Sequence, residues 1–313
     1  MPSGAGHRLT IATGPIVLSM DLPRPCRPTR PAKAFLAKAA RRYRGFITGA
    51  PALVSMELEP LLSRRLAGWP EESKPGAAGC GENADPLITG SLPKAGISAR
   101  RGRFLCSAPR FGWELSDSRG KGVFRPGPYD LDSLLRTLVS HLAPDAGGVL
   151  LHCASLSFRG RSHLFVGPSG AGKTTLSRKL GGRRLEPGHS VKVLSDELTL
   201  LTGTGAGSRP AFLAHSTPFW GEFRLPENNG SAPLGRVFLL RKGPAAVRPM
   251  KTGPAVAELL RCLVCFERSG PVLGRSLDLL LAVLAKHPAA ELYWDGKRTD
   301  HIVAMLRQER RTS

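Results

Sequence analysis

Polar and apolar positions alternate over Arg8 to Ala12 and apolar residues dominate Ile16 to Met20, which predicts two short strands around a Gly14-Pro15 turn. Residues 23–31 carry proline too densely for regular structure and read as an exposed basic loop. Ala32 to Tyr43 has apolar residues at helical spacing, including Phe35, Leu36 and Ala39, and Ala52 to Leu58 reads as a strand. From Trp69 to Arg103 periodicity is lost in Gly, Pro, Ser and charge, the signature of a loop or disordered insert.

Order returns with short strands at Arg103 to Ser107, Gly112 to Leu115 and Gly122 to Arg125. Pro128 to Leu142 follows as a helix with Leu131, Leu134, Leu135, Leu138 and Leu142 on one face and Asp130 as its N-cap. Gly148 to Phe158 is a strand, Arg159 to Ser162 a tight turn and His163 to Val166 the returning strand. A helix over Thr175 to Leu180, a turn over Gly181 to Pro187 and an apolar strand over Val191 to Leu194 come next. Gly235 to Arg241 is a strand, and helices over Gly253 to Phe266 and Gly274 to Ala285 are separated by Gly270-Pro271. Glu291 to Trp294 is a strand and Asp300 to Gln308 a closing helix. Helix alternating with strand predicts an α/β sheet covered by helices over residues 104–313. Residues 1–103 form a smaller, irregular α+β region whose insert spans about 69–103.

Composition narrows the function classes. No apolar run approaches the ~20 residues of a membrane span; the longest, Leu277 to Ala285, is short and contains Asp278. Leu9 to Met20 is broken by Gly14 and Pro15, so it reads as strands rather than a signal peptide, and a cytoplasmic protein is expected. The six cysteines are dispersed, which fits a reducing compartment. The close pair Cys262 and Cys265 is a C-x-x-C without a second pair at ligand spacing, and is read as two half-buried thiols on a helix rather than a redox-active pair or half a zinc site. A net charge of +21 invites a nucleic-acid partner, but the basic residues are scattered, and only 6% of residues are aromatic, with no basic-aromatic stripe for stacking bases. General Arg enrichment accounts for the balance, and attraction to nucleotide, acidic partners or anionic surfaces is the alternative.

The densest chemistry lies at Gly167, Pro168, Ser169, Gly170, Ala171, Gly172, Lys173, Thr174 and Thr175, which follow the pattern G-x-x-x-x-G-K-[ST] of a phosphate-binding P-loop. Glycines let the backbone wrap closely on phosphate oxygens, and the following helix turns its positive end to the anion. Lys173 would meet the β/γ-phosphates and the Thr174 hydroxyl would ligate Mg²⁺. Asp196 and Glu197 end a strand twenty-three positions after Lys173. They read either as an acidic turn or as carboxylates that hold Mg²⁺ and take a proton from an attacking hydroxyl. The β-hairpin feeding the loop is unusual, since one strand suffices for a generic P-loop enzyme. It sets His152 beside the loop, either as a core histidine or as a site residue.

The loop also matches those of transporter ATPases, but no Leu-Ser-Gly-Gly-Gln segment or distant second acidic strand follows. Leu151-His152, Gly160, Val166 to Thr174 and Leu194 to Leu198 together resemble the catalytic domain of the HPr kinase/phosphorylase family, itself related to ATP-dependent phosphoenolpyruvate carboxykinases. The resemblance covers residues 148–200 and extends more weakly through Ser216 to Glu222 and Gly235 to Arg241. It implies a mixed sheet with covering helices and ATP- and Mg²⁺-dependent phosphoryl transfer to a Ser/Thr or other hydroxyl of a peptide, protein or small molecule. It further implies Asp196 as general base, Lys173 and Thr174 serving phosphate and metal, Glu197 assisting the metal and His152 supporting Asp196. The chain departs from the family in carrying Asp-Glu where Asp-Asp is usual. Glu222 is a further candidate ligand, or a surface acid. A carboxykinase-like enzyme acting on a small carboxylate and a nucleotide-binding regulator without turnover are the other readings. Homo-oligomer formation is compatible with the sequence.

Overall fold

The computed structural model describes residues 7–22, 37–60, 95–100, 102–108, 110–125, 129–204, 211–219, 221 and 229–308. The loop at 23–31, the start of the helix expected from Ala32, most of the insert from Trp69, and Glu222 lie outside them. Within them the protein is mixed α/β, with two large mixed sheets, one two-stranded sheet and several helices. Its contacts divide it into two units, one running to Leu142 and including Cys265–Ser269, the other comprising Ala143–Val264 and Gly270–Ser313. The expected boundary after residue 103 therefore moves to Leu142. The reason is pairing: strands that follow residue 103 complete the sheet begun near the N-terminus.

In the first unit β1 (His7–Thr13) and β2 (Ile16–Leu22) form the expected hairpin, with Gly14 at φ 54° in its turn. Residues 37–42 are helical. β3 (Val54–Pro60) runs parallel to β2, and β7 (Arg119–Phe124) parallel to β3. β6 (Phe111–Ser116), β5 (Arg103–Ser107) and β4 (Gly96–Arg100) continue antiparallel. β4 falls in the stretch read as irregular; its ladder comes from β5, a partner that local composition does not reveal. Among the described residues these strands form one seven-stranded sheet.

Helix α1 (Asp130–Leu142) lays its leucine face on β6 and β7. Gly122 permits the approach, since a Cβ there would lie 2.7 Å from Leu58 and 3.3 Å from Leu134. Asp130 does not cap the helix through its side chain as expected; its carboxylate takes Arg110 at 2.6 and 2.9 Å. Buried Asp132 accepts from the Tyr43 hydroxyl at 2.7 Å and pairs with Arg42. The Trp113 indole donates to Thr137 at 2.8 Å, and His141 Nδ1 lies 2.8 Å from Glu267 Oε2 of the returning segment.

In the second unit β8 (Gly148–Phe158) and β9 (Arg161–Val166) form the hairpin expected from the sequence. Arg159 and Gly160 both take positive φ, 51° and 74°, as a two-residue turn of this kind requires. β9 lies parallel to β15 (Ser231–Lys242), which lies parallel to β17 (Ala289–Trp294), with β16 (Ala246–Pro249) antiparallel at the edge. The opposite edge of β8 carries β12 (Lys192–Ser195) and then β13 (Leu198–Thr204). β14 (Ala211–His215) joins β13 to the start of β15, so the pairings close on themselves through β8, β13, β14, β15 and β9. Helices α2 (Lys173–Leu180) and α5 (Asp300–Gln308) bury Leu176, Leu180, Ile302 and Leu306 in one core with Ala154, Phe165, Phe238 and Leu292.

Three local expectations change here. The stretch read as a turn over Gly181 to Pro187 holds half of a small hairpin, β10 (Arg184–Glu186) and β11 (His189–Ser190), closed around Gly188 at φ 77°. α3 (Thr252–Arg261) ends before the C-x-x-C, and Leu263 instead bridges Leu151 beside β8, so the thiols are not on a helix. Gly270-Pro271 begins α4 (Gly270–Lys286) rather than preceding it, which suits proline's missing donor in a first turn.

Candidate functional site

The P-loop leaves the sheet at the carboxyl end of β9, where Val166 pairs with Leu239 of β15. Gly170 and Gly172 take φ of 78° and 101°, values that L side chains rarely adopt. Pro168, Ser169 and Gly170 are exposed, while Ala171 is buried. The loop also needs glycine for space. A Cβ at Gly172 would lie 2.9 Å from the ring of Trp294, the last residue of β17. Thr174 at the start of α2 is half-buried and Thr175 exposed.

Lys173 is 6% exposed, and its Nζ donates to the carbonyls of Gly167 at 2.7 Å and Pro168 at 3.1 Å. Burial lowers its pKa, opposed by Cys262, Cys153 and Glu197. Burial raises the pKa of both thiols, Cys153 to about 12, so both stay protonated at neutral pH. Cys262 was reached through its C-x-x-C spacing, yet it lies near the P-loop, where Lys173 and then the Gly167 backbone oppose the rise that burial gives its thiol pKa. The His152 amide donates to the Cys262 carbonyl at 2.7 Å, so Cys262 prolongs the edge of β8 where β9 turns away into the loop.

The acidic pair sits on the other edge of β8. Ser195 pairs with Ser155 and Leu198 with His152 in one register, so β12 and β13 follow a single track with Asp196 and Glu197 as a bend between them. The bend is closed locally: Ser195 Oγ donates to the Leu198 carbonyl at 2.7 Å and accepts from the Glu197 amide at 3.2 Å. Asp196 is 3% exposed, and its Oδ1 accepts from the Gly221 amide at 3.1 Å. Glu197 is half-buried, with Oε2 3.9 Å from His152 Nε2. The resemblance tied His152 to Asp196; the fold sets its ring against Glu197.

His152 and Glu197, far apart in sequence, are thus neighbours, Asp196 adjoins Glu197 in the same bend, and the charge of Glu197 acts on Lys173. A desolvated ammonium held under a loop of exposed amides suits a polyphosphate. Among the described residues no group of three or more His, Cys, Asp or Glu could hold a metal by itself. Mg²⁺ does not require one, because it keeps waters and takes one or two carboxylates with substrate phosphates. Thr174, Asp196 and Glu197 are donors of that kind. Trp294, Cys262, Thr217 and Gly221 escaped sequence reasoning as site residues, since only the fold carries them there. No helix of the described residues is long and apolar enough to cross a membrane. Set against models of known protein families and against curated proteins, the chain matches no family model and no curated protein.

Proposed function

We propose that this chain is an ATP-dependent, HPr-kinase-like phosphotransferase acting on a Ser/Thr or other hydroxyl. The observation that carries the reading is buried Lys173, folded onto the carbonyls of Gly167 and Pro168 within the P-loop, with Glu197 among the groups whose charge acts on it. Phosphoryl transfer asks little covalent chemistry of a protein; positioning and charge do most of the work. On binding ATP, Lys173 exchanges the two carbonyls for phosphate oxygens, and the amides of Gly170 to Thr174 supply further donors. Thr174, Asp196 and Glu197 are the groups that would hold Mg²⁺, which supplies positive charge against that developing on the transferred phosphoryl. Asp196, fixed by a backbone amide, accepts the proton of the acceptor hydroxyl. His152 lies beside Glu197, with Nε2 3.9 Å from its carboxylate.

The test uses γ-labelled ATP with Mg²⁺ and a degenerate Ser/Thr peptide library, free serine and water as acceptors. Label transfer is expected for wild type. Lys173→Ala is expected to abolish ATP-dependent thermal stabilisation. Asp196→Asn is expected to retain stabilisation and lose transfer at least a hundredfold. ATP binding without transfer to any acceptor would favour a regulator instead.

A further inference from the structure

We infer that Thr217 and Gly221 are positioning residues that clamp the acidic bend, an inference resting on the reading of Asp196 as the base. A bend that interrupts a strand must be held by groups outside the ladder. Ser195 closes it from within through the Glu197 amide and the Leu198 carbonyl, bonds that do not touch the Asp196 carboxylate. The segment after β14 reaches it. Thr217 Oγ1 donates to the Leu198 carbonyl at 2.6 Å, the same oxygen that Ser195 reaches, and so pins the backbone just beyond the bend. Four residues later the Gly221 amide donates to Asp196 Oδ1. The root of the segment is fixed too: Ser216 Oγ accepts from the Gly230 amide at 2.6 Å and donates to its carbonyl at 3.0 Å.

The contact at Gly221 depends on the absence of a side chain. A Cβ there would lie 2.5 Å from Asp196 Oδ2, 2.9 Å from Cγ and 3.1 Å from Oδ1. The first two distances are shorter than real Cβ atoms show, so the carboxylate would have to shift, and Asp196, nearly inaccessible to water, has little room to swing aside. Glycine thus allows the main chain to lie flat against the carboxylate, which holds the acid in one orientation before substrate arrives. Misplacing a reacting group by about 1 Å can cost on the order of a hundredfold in rate.

The full-length Gly221→Ala and Thr217→Val proteins test this, with the acceptors above. Expected are an unchanged KM for ATP, ATP-dependent thermal stabilisation like that of wild type, and a kcat at least tenfold lower for Gly221→Ala and several-fold lower for Thr217→Val. In ¹H–¹⁵N spectra Asp196→Ala should move the Gly221 amide upfield, because its charged acceptor is lost. Gly221→Ala at the wild-type rate while Asp196→Asn is inactive would overturn the clamp alone. Loss of ATP binding together with transfer in Gly221→Ala would overturn it as well, showing a merely structural role. Asp196→Asn at full rate, or a wild type that transfers to no acceptor, would overturn the base itself.

Discussion

Gly172 shows how much one residue of a short motif carries. Its φ of 101° and its approach to the Trp294 ring are separate demands, one on backbone and one on space. Gly172→Ala should cost about 1–2 kcal/mol for the backbone conformation alone and displace either the loop or the indole. The expected result is at least a tenfold weaker Kd for ATP by calorimetry, with the fold retained by circular dichroism. His163 makes a different prediction. It is buried in β9 beside Phe238, and burial, then the charges of Arg236 and Arg161, push its pKa from 6.5 to about 3. The native state therefore stays neutral while the unfolded chain takes up a proton as pH falls through 6.5. Stability is lost between pH 6.5 and about 3, by at most about 1.4 kcal/mol per pH unit from this group. Urea unfolding from pH 7 to pH 4 should show a shallower decline in His163→Phe than in wild type.

At the scale of elements, α1 shows how a helix is tied to a sheet by both apolar and polar means. Its leucines seat on β6 and β7, while Asp132 gathers Arg42 and the Tyr43 hydroxyl from a distant stretch. Removing one partner of such a buried pair strands the other, at a cost of about 3–5 kcal/mol when burial is complete. Arg42 keeps 19% exposure of its side chain, so Asp132→Ala should cost toward the lower end, about 3 kcal/mol. Denaturant unfolding checks the value, and a loss under about 1 kcal/mol would mean that the pair behaves like a surface bridge. The β8–β9 hairpin and α5 appear where the pattern of side chains predicts them. β4 and the β10–β11 hairpin do not, because their residues lack strong alternation and their order comes from partners.

For the whole molecule, a net charge of +21 sets a long-range repulsion that compact folding must overcome. Screening shortens its reach to roughly 8 Å near physiological ionic strength. Raising NaCl from 20 to 300 mM should therefore raise Tm; a fall would show that surface ion pairs outweigh the repulsion. The division after Leu142 was hidden because a sheet recruits strands by hydrogen bonding, and pairing leaves little trace in composition. Local features were legible for the opposite reason. The P-loop, its hairpin, the leucine face of α1 and the acidic pair each depend on residues within one short stretch of chain. Spacing alone thus made Lys173, Thr174 and Asp196 candidates. Through-space neighbours were not available in that way: Trp294 beneath Gly172, Cys262 against Gly167, His152 beside Glu197 and Gly221 on Asp196 meet only when the sheet assembles. Short-range order follows from backbone geometry and periodicity, both written along the chain. Which distant side chains share a site depends on strand order and register, and those are settled by packing the molecule as a whole.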